Sequence, residues 1–435
     1  MSGFSPIRVF LVDDSPVALF LLKRLLATSP DIEVVGTARN GREALEKFAA
    51  ARPKVICSDL SMPVMGGLEL IQKTMATYPR PILVISTAKN AADRDKAYEL
   101  LAAGAVDVFP KPTANDAFEE TARQLVQKIR ILSGVYVFTR SPQEPGLLRV
   151  RTSKSETANL LIATLPTAKP NVATSTAPAT TAPATTAPAA PASASSGASD
   201  VGASIGTAAA GVSSRGVAAS PGVAASPGVA VQGRIQPPRS AFFLQKSARI
   251  RVVALGSSTG GPQVLESVLS RLPASFPCPI LCVQHISKGF LDGLVDWLRG
   301  QCSLNIRIAQ PGEVATPGVV YFPQQDTHLE IDVRGRLSCL PGPLVDGHRP
   351  SVSMTFASVA RSYGNESLAV LMTGMGSDGA SGLKAILASG GVTIAQDEAS
   401  CVVFGMPRQA IEIGAAQYAL SPDGIVEALQ QVAGA

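Results

Sequence analysis

Ser258 stands third in Gly256-Ser257-Ser258-Thr259-Gly260-Gly261, directly after the apolar run Ile250-Arg251-Val252-Val253-Ala254-Leu255 and before a helical pattern over 262–272. A strand that enters a glycine turn and leaves as a helix throws the middle side chain out of the fold. It also sets that side chain beside the unpaired N–H groups of a helix N-terminus, where a developing oxyanion is stabilised. A serine there is a nucleophile only if a base takes its proton and an acid orients the base. His285 follows the apolar run 279–284, and Asp378 lies in Thr373-Gly374-Met375-Gly376-Ser377-Asp378-Gly379, after the apolar run 368–372. Three strands would thus deliver a serine, a histidine and an aspartate to one edge of a sheet. Each has a plainer reading. Glycine-rich strand–helix turns also cradle phosphates, a lone histidine is more often a satisfied core residue, and Asp378 suits a helix N-cap. His328 and His348 compete for the role of base, and both are expected in loops near a cleft. The chain order Ser, His, Asp differs from the Ser, Asp, His order of α/β-hydrolases, so that fold is not expected.

A second constellation lies near the start. Asp13 and Asp14 follow the apolar run 7–12, Asp59 ends the run 55–58, Ser86 ends 82–85, and Lys111 follows 106–109. In open parallel sheets, sites form outside the carboxyl ends of the strands. Three carboxylates gathered there repel one another unless a divalent cation joins them, and a hard, oxygen-loving Mg²⁺ suits that task. Lys111 would pair with one oxygen of an incoming phosphoryl group and the Ser86 hydroxyl would bond another.

The elements that must hold these groups alternate. Over 1–133, five short apolar runs are separated by helical patterns at 15–28, 40–51, 68–77, 93–103 and 117–132. Such alternation predicts a parallel sheet with helices on both faces, a flavodoxin-like five-stranded domain. From 249 to 435 the alternation returns, with strands expected at 250–255, 279–283, 306–308, 319–322, 368–372 and 392–395 and a long helix over 379–388. That is a second, doubly wound and mostly parallel α/β domain. Residues 134–248 differ in kind. Thr181-Ala182-Pro183-Ala184-Thr185 repeats residues 176–180, and Val217-Ala218-Ala219-Ser220-Pro221-Gly222 recurs at 223–228. Low-complexity repeats without large apolar side chains cannot offset chain entropy, which predicts a largely disordered linker, clearest over 170–240.

The totals restrict function. At 435 residues the chain has room for two or three domains. Its formal charge of +5 is mild, and its basic residues are dispersed rather than striped, which argues against nucleic acid. The six cysteines are scattered without a Cys-x-x-Cys pair, as expected of buried thiols in a reducing cytosol. No signal-peptide layout and no run of the ~20 apolar residues that span a bilayer are seen, so a cytoplasmic protein without membrane insertion is expected; a monomer is expected as well.

Longer segments carry two resemblances. Val12-Asp13-Asp14-Ser15, Ser58-Asp59-Leu60-Ser61-Met62-Pro63, Ile85-Ser86 and Lys111-Pro112 resemble the receiver domain of two-component response regulators. The resemblance implies that Asp59 accepts phosphate from a histidine kinase. It also implies that Asp13, Asp14 and Asp59, with the carbonyl of Ser61, bind Mg²⁺, and that Ser86 and Lys111 form the switch. Gly66-Gly67 departs from the usual Asp-Gly, in a turn outside the acid pocket. Gly256 to Gly261, Gln284-His285, His348-Arg349-Pro350-Ser351-Val352, Leu371 to Gly379 and Gln396 to Pro407 resemble the catalytic domain of the chemotaxis protein-glutamate methylesterases. This resemblance implies Ser258 as nucleophile, His285 as general base and acid, Asp378 as its orienting acid, and Thr259 and Met375 at the oxyanion cleft. It further implies methyl-accepting chemoreceptors as substrates, a chemotaxis histidine kinase as phosphodonor, and no cofactor for the ester chemistry. Many members also deamidate receptor glutamines. Arg349 and Arg408 are candidate contacts for an acidic receptor surface.

Two other classes remain open at this level. A dinucleotide binder would use the Gly256–Gly261 loop for phosphate, but the acidic ribose partner expected about twenty residues on is replaced by Ala274-Ser275-Phe276-Pro277. A receiver-controlled DNA regulator would need a helix-turn-helix or a basic stripe, and neither is visible.

Overall fold

The structure is a computed structural model that describes residues 5–87, 91–113, 115–135, 137, 239 and 249–434, with 91–95 described as backbone only. These residues fall in one compact unit. The repetitive linker expected over 134–248 lies outside the described residues except at 134, 135, 137 and 239.

In the N-terminal lobe the strands are β1 (Ile7–Val12), β2 (Ile32–Ala38), β3 (Val55–Asp59), β4 (Ile82–Ser86) and β5 (Asp107–Pro110). The helices are α1 (Pro16–Leu26), α2 (Gly41–Ala51), α3 (Gly67–Thr77), α4 (Ala91–Ala102) and α5 (Phe118–Ser133). The five strands pair in parallel in the order β2-β1-β3-β4-β5. All five residues of β3 and of β4 are buried, because helices cover both faces of a parallel sheet. Local chemistry starts the helices. The Ser15 hydroxyl accepts from Ala18 N before Pro16 at the first turn of α1, and Asn40 Oδ1 accepts from Glu43 N at the start of α2.

The C-terminal lobe contains β6 (Val252–Ser257), α6 (Gly261–Leu269), β7 (Ile280–Gln284), α7 (Leu291–Gln301), β8 (Asn305–Ile308), β9 (Val319–Phe322), β10 (His328–Ile331) and β11 (Leu337–Leu340). It continues with α8 (Val352–Tyr363), β12 (Ser367–Leu371), α9 (Ala380–Ala388), β13 (Val392–Gln396), α10 (Met406–Glu412), β14 (Tyr418–Leu420) and α11 (Pro422–Ala433). Seven strands form a parallel sheet in the order β14-β13-β12-β6-β7-β9-β8. The chain leaves β6 toward β7 and later returns on its other side as β12. That reversal opens a crevice at the carboxyl ends of β12, β6 and β7, where ligands bind in such sheets. Both sheets thus have the expected parallel character. The antiparallel pair β10–β11 was not expected, and it corrects one placement: His328 opens β10 rather than lying in a loop. No helix among the described residues is long and apolar enough to cross a membrane.

Candidate active site

Ser257 lies opposite Gln284 where β6 and β7 pair, so Ser258 and His285 are the next residues beyond two adjacent strand ends. His285 N donates to Ser257 O at 2.9 Å, and Ser258 N donates to Thr373 O at 2.9 Å, which ties the serine to the segment after β12. The turn then closes through Gly260, whose φ of +77° suits glycine, into α6. Gly374 passes so close that a Cβ there would lie 2.7 Å from the Ser258 Cβ and would collide with Met406 Sδ.

Asp378 is 1% exposed and accepts from five donors. Its Oδ2 meets His285 Nε2 at 2.8 Å and Val352 N at 2.7 Å. Its Oδ1 meets the Ser351 hydroxyl at 2.8 Å and the Ser353 and Gly379 N–H groups at 2.9 Å each. Burial alone would raise this carboxyl. The hydrogen bond and charge of His285 and the N–H groups of Ser353 and Val352 outweigh it and hold the carboxyl well below its usual range. A carboxylate facing Nε2 sets the proton on that nitrogen and leaves the lone pair on Nδ1. His285 Nδ1 is buried and has no hydrogen-bond partner, so the structure joins His285 to Asp378 but not Ser258 to His285. Catalytic hydrogen bonds are often open in the unliganded protein.

The other candidates divide. His328 is 4% exposed; its Nε2 donates to Pro343 O at 2.9 Å and its Nδ1 accepts from Ser351 N at 3.2 Å, so both nitrogens are spent on structure. The His348 ring instead stacks on His285. Met375 is 40% exposed on the turn after β12, while Thr259 is buried, its carbonyl accepting from Thr373 Oγ1 at 3.0 Å. Arg349 donates to Gly342 O and has a buried Nε without a partner, whereas Arg408 pairs with Glu412 at the surface. Sequence reasoning missed Ser351 and Ser353, which orient Asp378. The signal for Ser351 was its place as the N-cap of α8.

The first constellation in the chain also assembles. Oxygen atoms of Asp13, Asp14 and Asp59 lie within 4.8 Å of one another. Lys111 Nζ sits 2.8 Å from both Asp13 and Asp59. Burial raises the Asp59 carboxyl and the Asp13 charge adds to this, with Lys111 opposing; burial would lower Lys111, but its two carboxylates raise it. The Ser86 hydroxyl is buried without a hydrogen-bond partner, and Ser61 is exposed beside the pocket. An acid-only donor set beside an orphaned hydroxyl fits a hard divalent cation and a phosphoryl group.

A family model described as CheB methylesterase matches residues 253–429, and the response regulator receiver domain model matches residues 9–123. A protein-glutamate methylesterase/protein-glutamine glutaminase of Moorella thermoacetica is 38% identical over 432 residues, 98% of this chain and 97% of its own. Another of that name, from Nitrosospira multiformis, is 32% identical over 425 residues, 97% of this chain and 96% of its own. This chain belongs to the protein-glutamate methylesterase/protein-glutamine glutaminase family. The crystal structure of the Thermotoga maritima CheB methylesterase catalytic domain is 38% identical and covers 42% of this chain and 98% of its own, with a TM-score of 0.41.

In this family member the receiver lobe touches the methylesterase lobe beside Ser258. Thr259, next to Ser258, donates its hydroxyl to Asp107 Oδ2 at 2.9 Å, at the start of β5. Gln263 Nε2 donates to Ala105 O at 2.8 Å. Tyr98 of α4 donates its hydroxyl to Phe290 O at 2.7 Å and stacks on Trp297 of α7, ring centroids 5.6 Å apart.

Proposed function

We propose that this chain hydrolyses γ-methyl esters of glutamate side chains on chemoreceptors, releasing methanol, and deamidates receptor glutamines, at a rate set by phosphorylation of Asp59. The observation that carries the reading is the delivery of Ser258, His285 and Asp378 to one crevice by three neighbouring strands of the sheet. His285 Nδ1 takes the Ser258 proton as Oγ attacks the γ-carbonyl. Asp378 holds the ring and stabilises the imidazolium. The oxyanion forms beside the N-terminus of α6 and the turn at Met375, where backbone N–H groups stabilise it. The imidazolium then protonates the departing methoxide. Water activated by the same Nδ1 cleaves the acyl-serine, leaving glutamate and a free serine. A glutamine substrate follows the same steps and releases ammonia.

At the other site, Asp59 is the phosphoryl acceptor, supplied by a histidine kinase. Asp13, Asp14, Asp59 and the Ser61 carbonyl would hold Mg²⁺, which when bound neutralises charge on the phosphoryl group. Lys111 and Ser86 receive phosphoryl oxygens. The receiver spans 1–133, the linker 134–248 and the esterase 249–435, in a cytoplasmic monomer. The contact of β5 with Thr259 supports a resting state in which the receiver narrows access to Ser258, and phosphorylation releases it.

The test is methanol release from a methylated receptor cytoplasmic fragment by the full chain, with and without an acyl phosphate and Mg²⁺, beside Ser258→Ala and Asp59→Asn. Release by the wild type, lost in Ser258→Ala and stimulated only when Asp59 is present, supports the reading. No release by folded wild type, phosphorylated or not, would sink it.

A further inference from the structure

The His348 ring lies flat on the His285 ring, centroids 3.9 Å apart and planes 9° from parallel. His285 is thereby bounded on two sides. Asp378 occupies Nε2, His348 covers a face, and only Nδ1 is left for proton exchange. We propose that His348 is a positioning residue for the esterase reaction, its ring acting as a flat neutral wall that holds the plane of His285 so that Nδ1 is kept where it can take the Ser258 proton.

How the chain presents His348 supports the assignment. Val345 and His348 exchange both backbone hydrogen bonds, at 3.1 and 2.9 Å, across Asp346 and Gly347. Those two residues have φ of +51° and +79°, the two positive angles of a type I′ turn, for which Asp-Gly is a favoured pair. The turn is braced in its place, because Asp346 Oδ2 accepts from the Ser353 hydroxyl at 3.0 Å. Ser353 N in turn donates to Asp378 Oδ1. One short chain of hydrogen bonds therefore fixes both the carboxylate that holds the edge of His285 and the turn that holds its face.

The chemistry asks for a neutral wall. When Nδ1 takes the serine proton, His285 becomes a cation, and an uncharged ring face beside it is attractive while a second cation would repel. Burial and the neighbouring His285 push the His348 imidazole down to about 4, with Asp378 opposing, so it is uncharged near neutral pH. Without the wall, rotation of the His285 ring about its side-chain bond turns Nδ1 away from Ser258, and misplacement on the scale of 1 Å costs about 100-fold in rate.

This inference rests on the esterase reading, so its test carries two readouts, one of them independent of substrate. The full chain has three histidines, which makes ring signals in histidine-labelled protein assignable. In the wild type the carbon-bound ring protons of His285 should be displaced upfield by the stacked ring, and in His348→Ala they should move downfield; no movement overturns the stack. In methanol release, His348→Ala should lower kcat by about 10- to 100-fold with KM within about 2-fold, and His348→Phe, which keeps a flat neutral ring, should recover most of kcat. Full kcat in His348→Ala, or a loss in a folded His348→Phe as deep as in His348→Ala, overturns the proposal. Wild type that releases no methanol but keeps the ring shift would instead remove the esterase reading and leave the stack standing.

Discussion

At the scale of the residue, the proposed reaction makes Asp378 a link between catalysis and stability. Its carboxylate binds five donors at once, so Asp378→Asn replaces acceptor oxygen by an N–H that cannot face Val352 N, Ser353 N or the ring of His285. The expected outcome is a fall in kcat of about 10³- to 10⁴-fold in methanol release, the scale of other triads whose acid is neutralised. Unfolding stability should fall by about 1–3 kcal/mol in urea titration at pH 7, since buried donors lose their partner. The sign of the pH dependence follows from the depressed carboxyl. Its stabilisation is complete above the ordinary value of 3.8 and drains away only as pH falls below it. His348 acts in a different window. Folding lowers its imidazole from 6.5 to about 4, so between those values the unfolded chain binds more protons and stability drops as the medium is acidified. The urea midpoint of His348→Phe should therefore hold up better than that of wild type on going from pH 7 to pH 5. Equal losses in the two proteins would show that the ring is not buried neutral.

At the scale of the element, what matters is how closely the turns beyond β6 and β12 approach each other. Gly374→Ala would push a methyl group onto the Ser258 Cβ and Met406 Sδ. Overpacking of this kind costs about 1–3 kcal/mol and, here, moves Ser258 itself. The variant should lose both thermal stability and kcat, and a crystal structure should show Ser258 displaced; an active variant with wild-type stability would mean that the two turns are free to part. The turns and strands that carry Ser258, His285, Asp378, Asp13, Asp59 and Lys111 were legible in the sequence for a physical reason. Strands buried on both faces read as unbroken apolar runs, and a polar residue directly after such a run stands out. The hairpin β10–β11 was not legible, because four-residue strands with Arg334 and Arg336 in and beside the connecting turn give no run to see. His328 was consequently placed in a loop, although its two ring bonds make it a structural histidine. The stack of His348 on His285 depends on a turn 63 positions further along the chain folding back over the site, and residue spacing carries no trace of that.

At the scale of the whole molecule, contacts between the lobes hold the receiver beside Ser258. Among the described residues, three hydrogen bonds between the lobes each have their own chemistry. Thr259 shares the Asp107 carboxylate oxygen with the ion pair from Lys128, both bonds being made at once. Gln263 to Ala105 is partly exposed to water. Tyr98 is different: it is fully buried, its hydroxyl meets the Phe290 carbonyl, and its ring lies on Trp297. Tyr98→Phe keeps the ring and removes the donor; the Phe290 carbonyl still accepts from Leu294 N at 3.1 Å, so the loss is one net hydrogen bond, about 0.5–1.5 kcal/mol. If that contact holds the resting arrangement, the same energy is taken from it, and the basal rate without a phosphoryl donor should rise by roughly 2- to 10-fold. The measurement is best made in an Asp59→Asn background, so that no phosphorylation contributes. Ser258, His285 and Asp378 are untouched by the change, and KM for the receptor fragment should fall or stay level as access widens. A basal rate unchanged by Tyr98→Phe in that background, while Tyr98→Phe with Asp59 intact is still stimulated by a phosphoryl donor, would move the brake from α4 and α7 to the β5–Thr259 contact. Asp107→Ala in the same background would then be the variant expected to raise the rate.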